Sequence, residues 1–214
     1  AGAHAYACES LRRFTAQAVD RGEKPAVGAA IAKVECTRRA REAATLALDI
    51  CGGKGVMLGP SNFIADHYIA APIGVTVEGA NLLTRGLILF GQGALRGHPF
   101  LLREIKAEHD ENPARALREF AEAFWKHLRQ AAAAAARALV LGLTRARLAA
   151  VPLHGPTRPY WQMLARYSAG LATLGDAAFA VLGGSLKLRE HQSARLGDAL
   201  AQLYAVSAVL KHFE

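Results

Sequence analysis

One carboxylate in this chain stands where chemistry could use it. The run Val77-Glu78-Gly79-Ala80-Asn81-Leu82-Leu83-Thr84-Arg85 puts Glu78 on a glycine-containing bend, after an apolar stretch and just before an amphipathic helix. A carboxylate between apolar segments is costly unless paired or used, because burial disfavours its charged form. That makes Glu78 a candidate general base, since burial brings a carboxyl towards the working pH. The same residue can be read as a helix-start carboxylate stabilised by the macrodipole. Gly79, Ala80 and Asn81 would present backbone N–H groups at the helix N-terminus, a ready anion site. Upstream, Gly52 and Gly53 in Cys51-Gly52-Gly53-Lys54-Gly55 read on their own as an ordinary helix C-terminus.

The elements that must position these residues are helical. Alanine, leucine and arginine dominate the 214 residues, aromatics make up 7%, and runs of β-branched residues are almost absent, a composition that favours an all-α chain. A first helix is expected over about 3–21, with Gly22 as its C′ residue. Pro25 opens a second helix to about Ile50, with Val27, Ile31, Val34, Ala44, Leu48 and Cys51 on one face. Gly59-Pro60 makes a turn, Ser61 caps a short helix to about Ile69, and Pro72 and Gly74 block helix until Glu78, leaving Val75-Thr76-Val77 extended. Helices then follow over about 81–95 and 99–109. Asp110-Glu111-Asn112-Pro113 is the clearest boundary. It divides the chain into residues 1–110 and 111–214, the second opening on an alanine-rich helix over about 113–148. After the proline-rich linker 152–159, two helices over about 160–182 and 185–214 complete the chain, the last with a stripe of Leu196, Leu200, Leu203 and Leu210. Neither end carries a helix start or stop signal, so the chain reads as a piece cut from something longer.

The net charge of +8 would suit an acidic partner. Arg38, Arg39 and Arg41 nevertheless read as a solvated helix face, and no zinc-finger spacing, aromatic RNA-binding signature or basic arm supports nucleic acid. Cys8, Cys36 and Cys51 have neither metal nor redox spacing, which points to reduced thiols in a cytoplasmic-type compartment. His67, His98, His109 and His127 share no spacing with acids that would make a metal site. They read as structural or surface residues, and no metal is expected. The most apolar stretch, 131–143, falls short of the roughly 20 residues that span a bilayer, so no segment is expected to cross one.

Asp49-Ile50-Cys51-Gly52-Gly53-Lys54-Gly55, read with Val77-Glu78-Gly79-Ala80-Asn81 and Arg85, resembles the C-terminal helical domain of acyl-CoA dehydrogenases. The preceding helix, with Lys33 and Thr37-Arg38-Arg39-Ala40, is similar too. Gly59-Pro60-Ser61-Asn62-Phe63, Phe90-Gly91-Gln92-Gly93-Ala94, residues 181–187 (VLGGSLK) and residues 193–198 (SARLGD) extend the likeness. They extend it to the long bacterial acyl-CoA dehydrogenases of fatty-acid β-oxidation, which carry an additional helical region after the dehydrogenase core.

The resemblance implies a truncated C-terminal helical bundle over 1–110, followed by part of the additional helical region over 111–214. It implies FAD as cofactor, a fatty acyl-CoA substrate oxidised to the trans-2-enoyl-CoA, and Glu78 as the base that removes the α-proton. It further implies an electron-transfer flavoprotein or similar acceptor, and a homo-oligomer in which the Gly52-Gly53 turn approaches the FAD of a neighbouring subunit. Gly79, Ala80 and Asn81 would touch the cofactor's phosphate region. Ala80 replaces a threonine of many relatives, which leaves backbone N–H groups to make that contact. Asp49 stands where many relatives have glutamine, and a carboxylate there repels a pyrophosphate. Alone, the chain should be catalytically inactive. The alternative is a non-catalytic helical module that docks on a protein or, through Arg115, Arg118, Lys126 and Arg129, on a membrane surface.

Overall fold

The computed structural model describes residues 1–86, 93 and 98–214, the side chain of Lys187 excepted. It is all-α, with no strand among the described residues. The chain divides into two compact units. One comprises Ala1–Ile88 with Tyr204–Glu214, the other Leu89–Leu203.

In the first unit, α1 (Gly2–Asp20) and α2 (Ala26–Cys51) pack together, and α2 also carries α3 (Gly53–Val56) and α4 (Ala65–Thr76). The end of α1 follows from its glycine. Gly22 takes φ 78°, its N–H donates to the Val19 carbonyl at 2.8 Å, and the Glu23 N–H donates to the Ala18 carbonyl at 3.0 Å. That pair of bonds closes the helix as a Schellman motif. Leu11 of α1 and Ile31 and Val34 of α2 are buried, each burial stabilising by about 1.5–3 kcal/mol. Along the anticipated face of α2, Ile31, Val34 and Ala44 are buried and Val27, Leu48 and Cys51 half-buried. The opposite reading of Arg38 and Arg39 needs correction. Both guanidiniums pair with Glu35, which is only 2% exposed, so they neutralise a buried charge rather than simply face solvent.

Two further expectations fail at α4. Ser61 does not cap it: the N-cap position is Ile64, and Asn62 Oδ1 shapes the preceding turn by accepting from the Ile64 and Ala65 N–H groups at 2.9 Å. Pro72 and Gly74 lie inside the helix rather than ending it. Packing against α2 outweighs the lost N–H of Pro72, and at Gly74, which faces Thr37 of α2, a Cβ would come 3.4 Å from the Thr37 methyl, ordinary van der Waals contact. Val75 and Thr76 are accordingly helical, and Val77 alone is extended. The short α5 (Asn81–Leu83) begins the helix expected over 81–95, most of which lies outside the described residues.

In the second unit, α6 (Leu101–Glu108) packs on α7 (Pro113–Leu143), and α7 on α8 (Arg158–Leu182), which runs into a 3₁₀ turn over Gly183–Lys187. Asn112 starts α7 as expected, its Oδ1 accepting from the Ala114 and Arg115 N–H groups. The helix stops at Leu143, five residues short of 148. Arg145 and Ala146 adopt left-handed φ of 50° and 64°, and the Ala146 N–H reaches the Leu141 carbonyl at 2.7 Å. This is a Schellman closure without glycine, invisible to a reading that waits for one.

The last helix, α9 (Glu190–Phe213), contributes to both units. Its buried stripe is Ser193, Gly197, Ala201, Ala205 and Ala208, with Leu210; Leu196, Leu200 and Leu203 are only half-buried. Small residues at helical spacing, rather than leucines, therefore make its closest packing. Within the first unit its end is anchored by an edge-on Phe14–Tyr204 pair, a Tyr6–His212 stack at 4.9 Å and a 2.8 Å hydrogen bond between Ser10 Oγ and His212 Nδ1.

Candidate functional site

The Glu78 bend is built by one lysine. Lys33, on α2, donates from Nζ to the Val75 carbonyl at 3.3 Å, the Gly79 carbonyl at 2.7 Å and the Asn81 Oδ1 at 2.7 Å. Asn81 is buried, and its Nδ2 donates to the Thr37 hydroxyl at 2.9 Å, one turn along the same helix. Between these anchors Glu78 sits at φ 53° and Gly79 at φ 92°. A left-handed glutamate is a strained conformation that glycine or asparagine would adopt more readily. Here it turns the chain out of α4 and into α5. Glu78 itself is exposed, so the chain alone does not provide the burial expected for a base.

Gly79 and Ala80 are also exposed, and no side chain caps the turn at Ala80. Asn81 differs: with its side chain committed to Lys33 and Thr37, it can offer an outside ligand only its backbone. Arg85 is half-buried, on a wide helical turn over 84–86. An apolar groove of about 450 Å³ opens between α2 and α4, lined by Thr37, Ala40, Ala44, Ile64, His67 and Ala71 among others. Thr37 thus joins the loop network to the groove.

Gly52 and Gly53 are at the far end of α2. Gly52 takes φ 55° and ψ −136°, and its N–H donates to the Leu48 carbonyl at 2.9 Å. A Cβ built at either glycine meets nothing within 4 Å. From Lys33 to Gly52 the helix rises roughly 28 Å at 1.5 Å per residue. The structure therefore does not gather the candidate site residues: Glu78, Gly79, Ala80 and Asn81 cluster near Lys33, and Gly52 and Gly53 stand apart. The stretch around those glycines is notably apolar at the surface, with Ile50 85%, Val56 75%, Leu58 78% and Phe63 72% exposed. Exposed apolar surface of this kind marks a contact with another surface. Asp49 is exposed beside it.

A second cluster, which sequence spacing does not reveal, lies within the other unit. His98, His127 and Asp176 bring candidate ligand atoms within 4.8 Å of one another. His98 Nε2 is 3.3 Å and His127 Nε2 3.6 Å from Asp176 Oδ1, and His127 Nδ1 is 2.8 Å from Glu104 Oε1. His98 Nδ1 accepts from the Leu101 N–H at 3.0 Å and the Phe100 N–H at 3.3 Å, at the start of α6. That fixes the neutral ring with its proton on Nε2, facing Asp176. A metal at Nε2 would need the lone pair that this tautomer lacks, and Nε2 itself is buried without a hydrogen-bond partner among the described residues despite its 3.3 Å approach to Asp176 Oδ1. Burial, then the neighbouring His127, lowers the His98 pKa from 6.5, against the pull of Asp176 and Glu104. His67 and His109 are exposed. Residues far apart in sequence converge here, and nothing in their spacing announces it.

The three cysteines are free thiols, each half-buried. Burial, with Cys8 alongside, pushes the Cys36 thiol up to about 12, so it is inert as a nucleophile. Of the four cations considered for surface docking, Arg115 is paired with Asp110 and Lys126 with Glu122. By length and composition alone the helical stretch Arg158–Leu186 could cross a bilayer, which is weak evidence against the expectation that no segment does. The same properties are met by helices packed on other helices, and α8 packs on α7.

No solved structure matches the chain. Two family models match it in succession: one described as acyl-CoA dehydrogenase, C-terminal domain, over residues 2–90, and one described as acyl-CoA dehydrogenase, C-terminal, bacterial type, over residues 95–214. Together with the all-helical architecture, these matches establish that the chain belongs to the acyl-CoA dehydrogenase family, in the region of its C-terminal helical domains.

Proposed function

We propose that this chain serves an FAD-dependent oxidation of fatty acyl-CoA to trans-2-enoyl-CoA in β-oxidation, with Glu78 as the α-proton base. The observation that carries this reading is the Glu78 bend: a strained glutamate presented outward from a loop tied to α2 on both sides. An α-proton beside a thioester is weakly acidic, so the base must be close, oriented and dry. The loop supplies orientation. Burial comes from the acyl-CoA and from other parts of the enzyme packed over the bend, which raises the carboxyl's proton affinity.

Bound FAD supplies the acceptor for the β-hydrogen, which leaves as hydride. Exposed Gly79 and Ala80 fit a phosphate approached through backbone N–H groups, as does the open space at Gly52 and Gly53. Asp49 opposes a pyrophosphate at the latter end. The roughly 28 Å between the two groups suits a homo-oligomer in which Gly52 and Gly53 meet a neighbouring subunit's cofactor, covering the apolar patch beside them. Residues 1–110 would be the helical bundle and 111–214 the additional helical region, in a cytoplasmic enzyme passing electrons to an electron-transfer flavoprotein or similar acceptor.

In the complete enzyme, Glu78→Gln should retain FAD while acyl-CoA-dependent flavin reduction falls by about 10²–10⁴-fold. Turnover within a few-fold of the unaltered enzyme would remove Glu78 as the base. The isolated chain should oxidise no acyl-CoA. A second reading rests on the exposed apolar residues of α7, among them Leu117, Trp125, Leu139 and Leu143: residues 111–214 act as a docking module. Co-sedimentation with anionic vesicles that vanishes at high salt would support a membrane partner.

A further inference from the structure

We propose that Lys33 is the positioning residue of the catalytic loop, the group that sets where the Glu78 carboxylate points; this rests on Glu78 being the base. An ammonium has three N–H donors. All three are matched by the same loop: the carbonyls of Val75 and Gly79 and the side chain of Asn81. These acceptors bracket Glu78, one before it in sequence and two after it. None of the three is a carboxylate. The lysine's charge is thus directed at neutral oxygens that shape the bend, and Glu78 is left facing outward.

The network closes on α2. Asn81 Nδ2 donates to Thr37 Oγ1, and Thr37 Oγ1 donates to the Lys33 carbonyl at 2.7 Å. Lys33 and Thr37 are four apart and so share a face of the helix. The one other side-chain bond to the bend among the described residues, from Thr84 Oγ1 to the Gly79 carbonyl, is long at 3.4 Å, so the Lys33 bonds are the main offset to the strain of a left-handed glutamate. Charge-assisted bonds from a fixed helix are the strong, directional kind. A planar guanidinium would spread its donors and meet fewer of three acceptors converging on one nitrogen.

The test uses the complete enzyme with bound FAD and the variants Lys33→Met, Lys33→Arg, Thr37→Val and Glu78→Gln. Amide hydrogen exchange of the peptide 75–83 is measured alongside kcat, KM and flavin content. Lys33→Met should raise exchange in that peptide by about tenfold or more and lower kcat per bound flavin by about tenfold or more, because misplacing a reacting group by about 1 Å costs on that scale. KM and flavin content should change less than about threefold. Thr37→Val should act in the same direction with smaller effect, and Lys33→Arg should recover part of the loss.

Unchanged exchange and kcat in Lys33→Met would overturn the proposal, as would a loss of flavin with kcat per bound flavin intact. Should Lys33→Met fail to fold, Thr37→Val decides on the same two readouts. The two ideas separate cleanly. An active Glu78→Gln removes the base while the exchange data still judge whether Lys33 holds the loop. An inactive Glu78→Gln beside an unaffected Lys33→Met leaves the base standing and removes the role of Lys33.

Discussion

Two loops of the first unit are each organised by a single polar side chain, and they are organised differently. Asn62 donates from Nδ2 to the carbonyls of Lys54, Gly55 and Met57, at 3.1, 2.8 and 3.0 Å, while its Oδ1 accepts from the two N–H groups that lead into α4. All its partners are within eight residues. Lys33 reaches across 42 to 48 residues of sequence to hold the Glu78 loop. The Asn62 loop is self-contained and carries apolar residues outward, a shape ready to be covered. The Glu78 loop depends on a helix formed elsewhere and carries a carboxylate outward, the shape the proposed base requires. A local device suits a surface that need only keep its form; a long-range one ties the proposed base to the packed core.

The contrast can be broken experimentally, and the largest effect should come from the reactive side. With Glu78 as the proposed base, Glu78→Gln should lower turnover by about 10²–10⁴-fold, whereas Gly52→Ala and Asn62→Ala should not abolish the chemical step in single-turnover flavin reduction. Next is the turn at the end of α2. Gly52→Ala should destabilise by about 1–3 kcal/mol in denaturant unfolding, because its φ of 55° and ψ of −136° suit glycine alone. Gly53→Ala, at an ordinary helical φ with open space around it, should be neutral or slightly stabilising. Equal costs for the two would mean that the turn is set by something other than Gly52's backbone.

Asn62→Ala should cost about 1 kcal/mol through the lost hydrogen bonds of the loop. It should raise hydrogen exchange around residues 54–65 and leave 75–83 alone. Exchange spreading into 75–83 would show that the two loops are not independently held. The smallest effect is a pH dependence that neither loop should share. His98 has a folded pKa below 6.5, so the unfolded chain takes up its proton first as pH falls. Stability is full above about 6.5 and declines as pH drops below it. His98→Asn keeps an acceptor at the start of α6 and removes the titration. Melting temperature between pH 7 and pH 5 should then fall less steeply than in the unaltered protein.

Much of this was legible in the sequence, and the failures have a common physical cause. Gly22 ends α1, Asn112-Pro113 opens α7 and the Ile31–Val34–Ala44 face is buried, because each depends on local chemistry or on periodicity within one helix. Pro72 and Gly74 misled because packing on α2 outweighs their local preference. Arg145 ends α7 through backbone bonds that its side chain does not announce. Glu78 itself was visible on its bend beside Gly79. Its strain and its dependence on Lys33 were not, since a lysine on an earlier helix carries no mark of the carbonyls it will meet. The His98–His127–Asp176 group was hidden for the same reason, and so was the exchange of leucines for small residues along the buried stripe of α9.

The anchoring of the end of α9 in the first unit has a consequence for the order of events during synthesis. Helices α1 to α4 leave the ribosome before α9 does, yet the Tyr6–His212 stack and the Ser10–His212 hydrogen bond await that later helix. A Cβ at Gly28 would come 2.5 Å from the Tyr204 hydroxyl, so that glycine keeps a berth for a residue translated long afterwards. The whole of Leu89–Leu203 is made in between. The nascent first unit must therefore wait, with part of its apolar surface uncovered, until the ribosome has finished the second. Such a wait is the interval in which chaperones and aggregation compete for a chain.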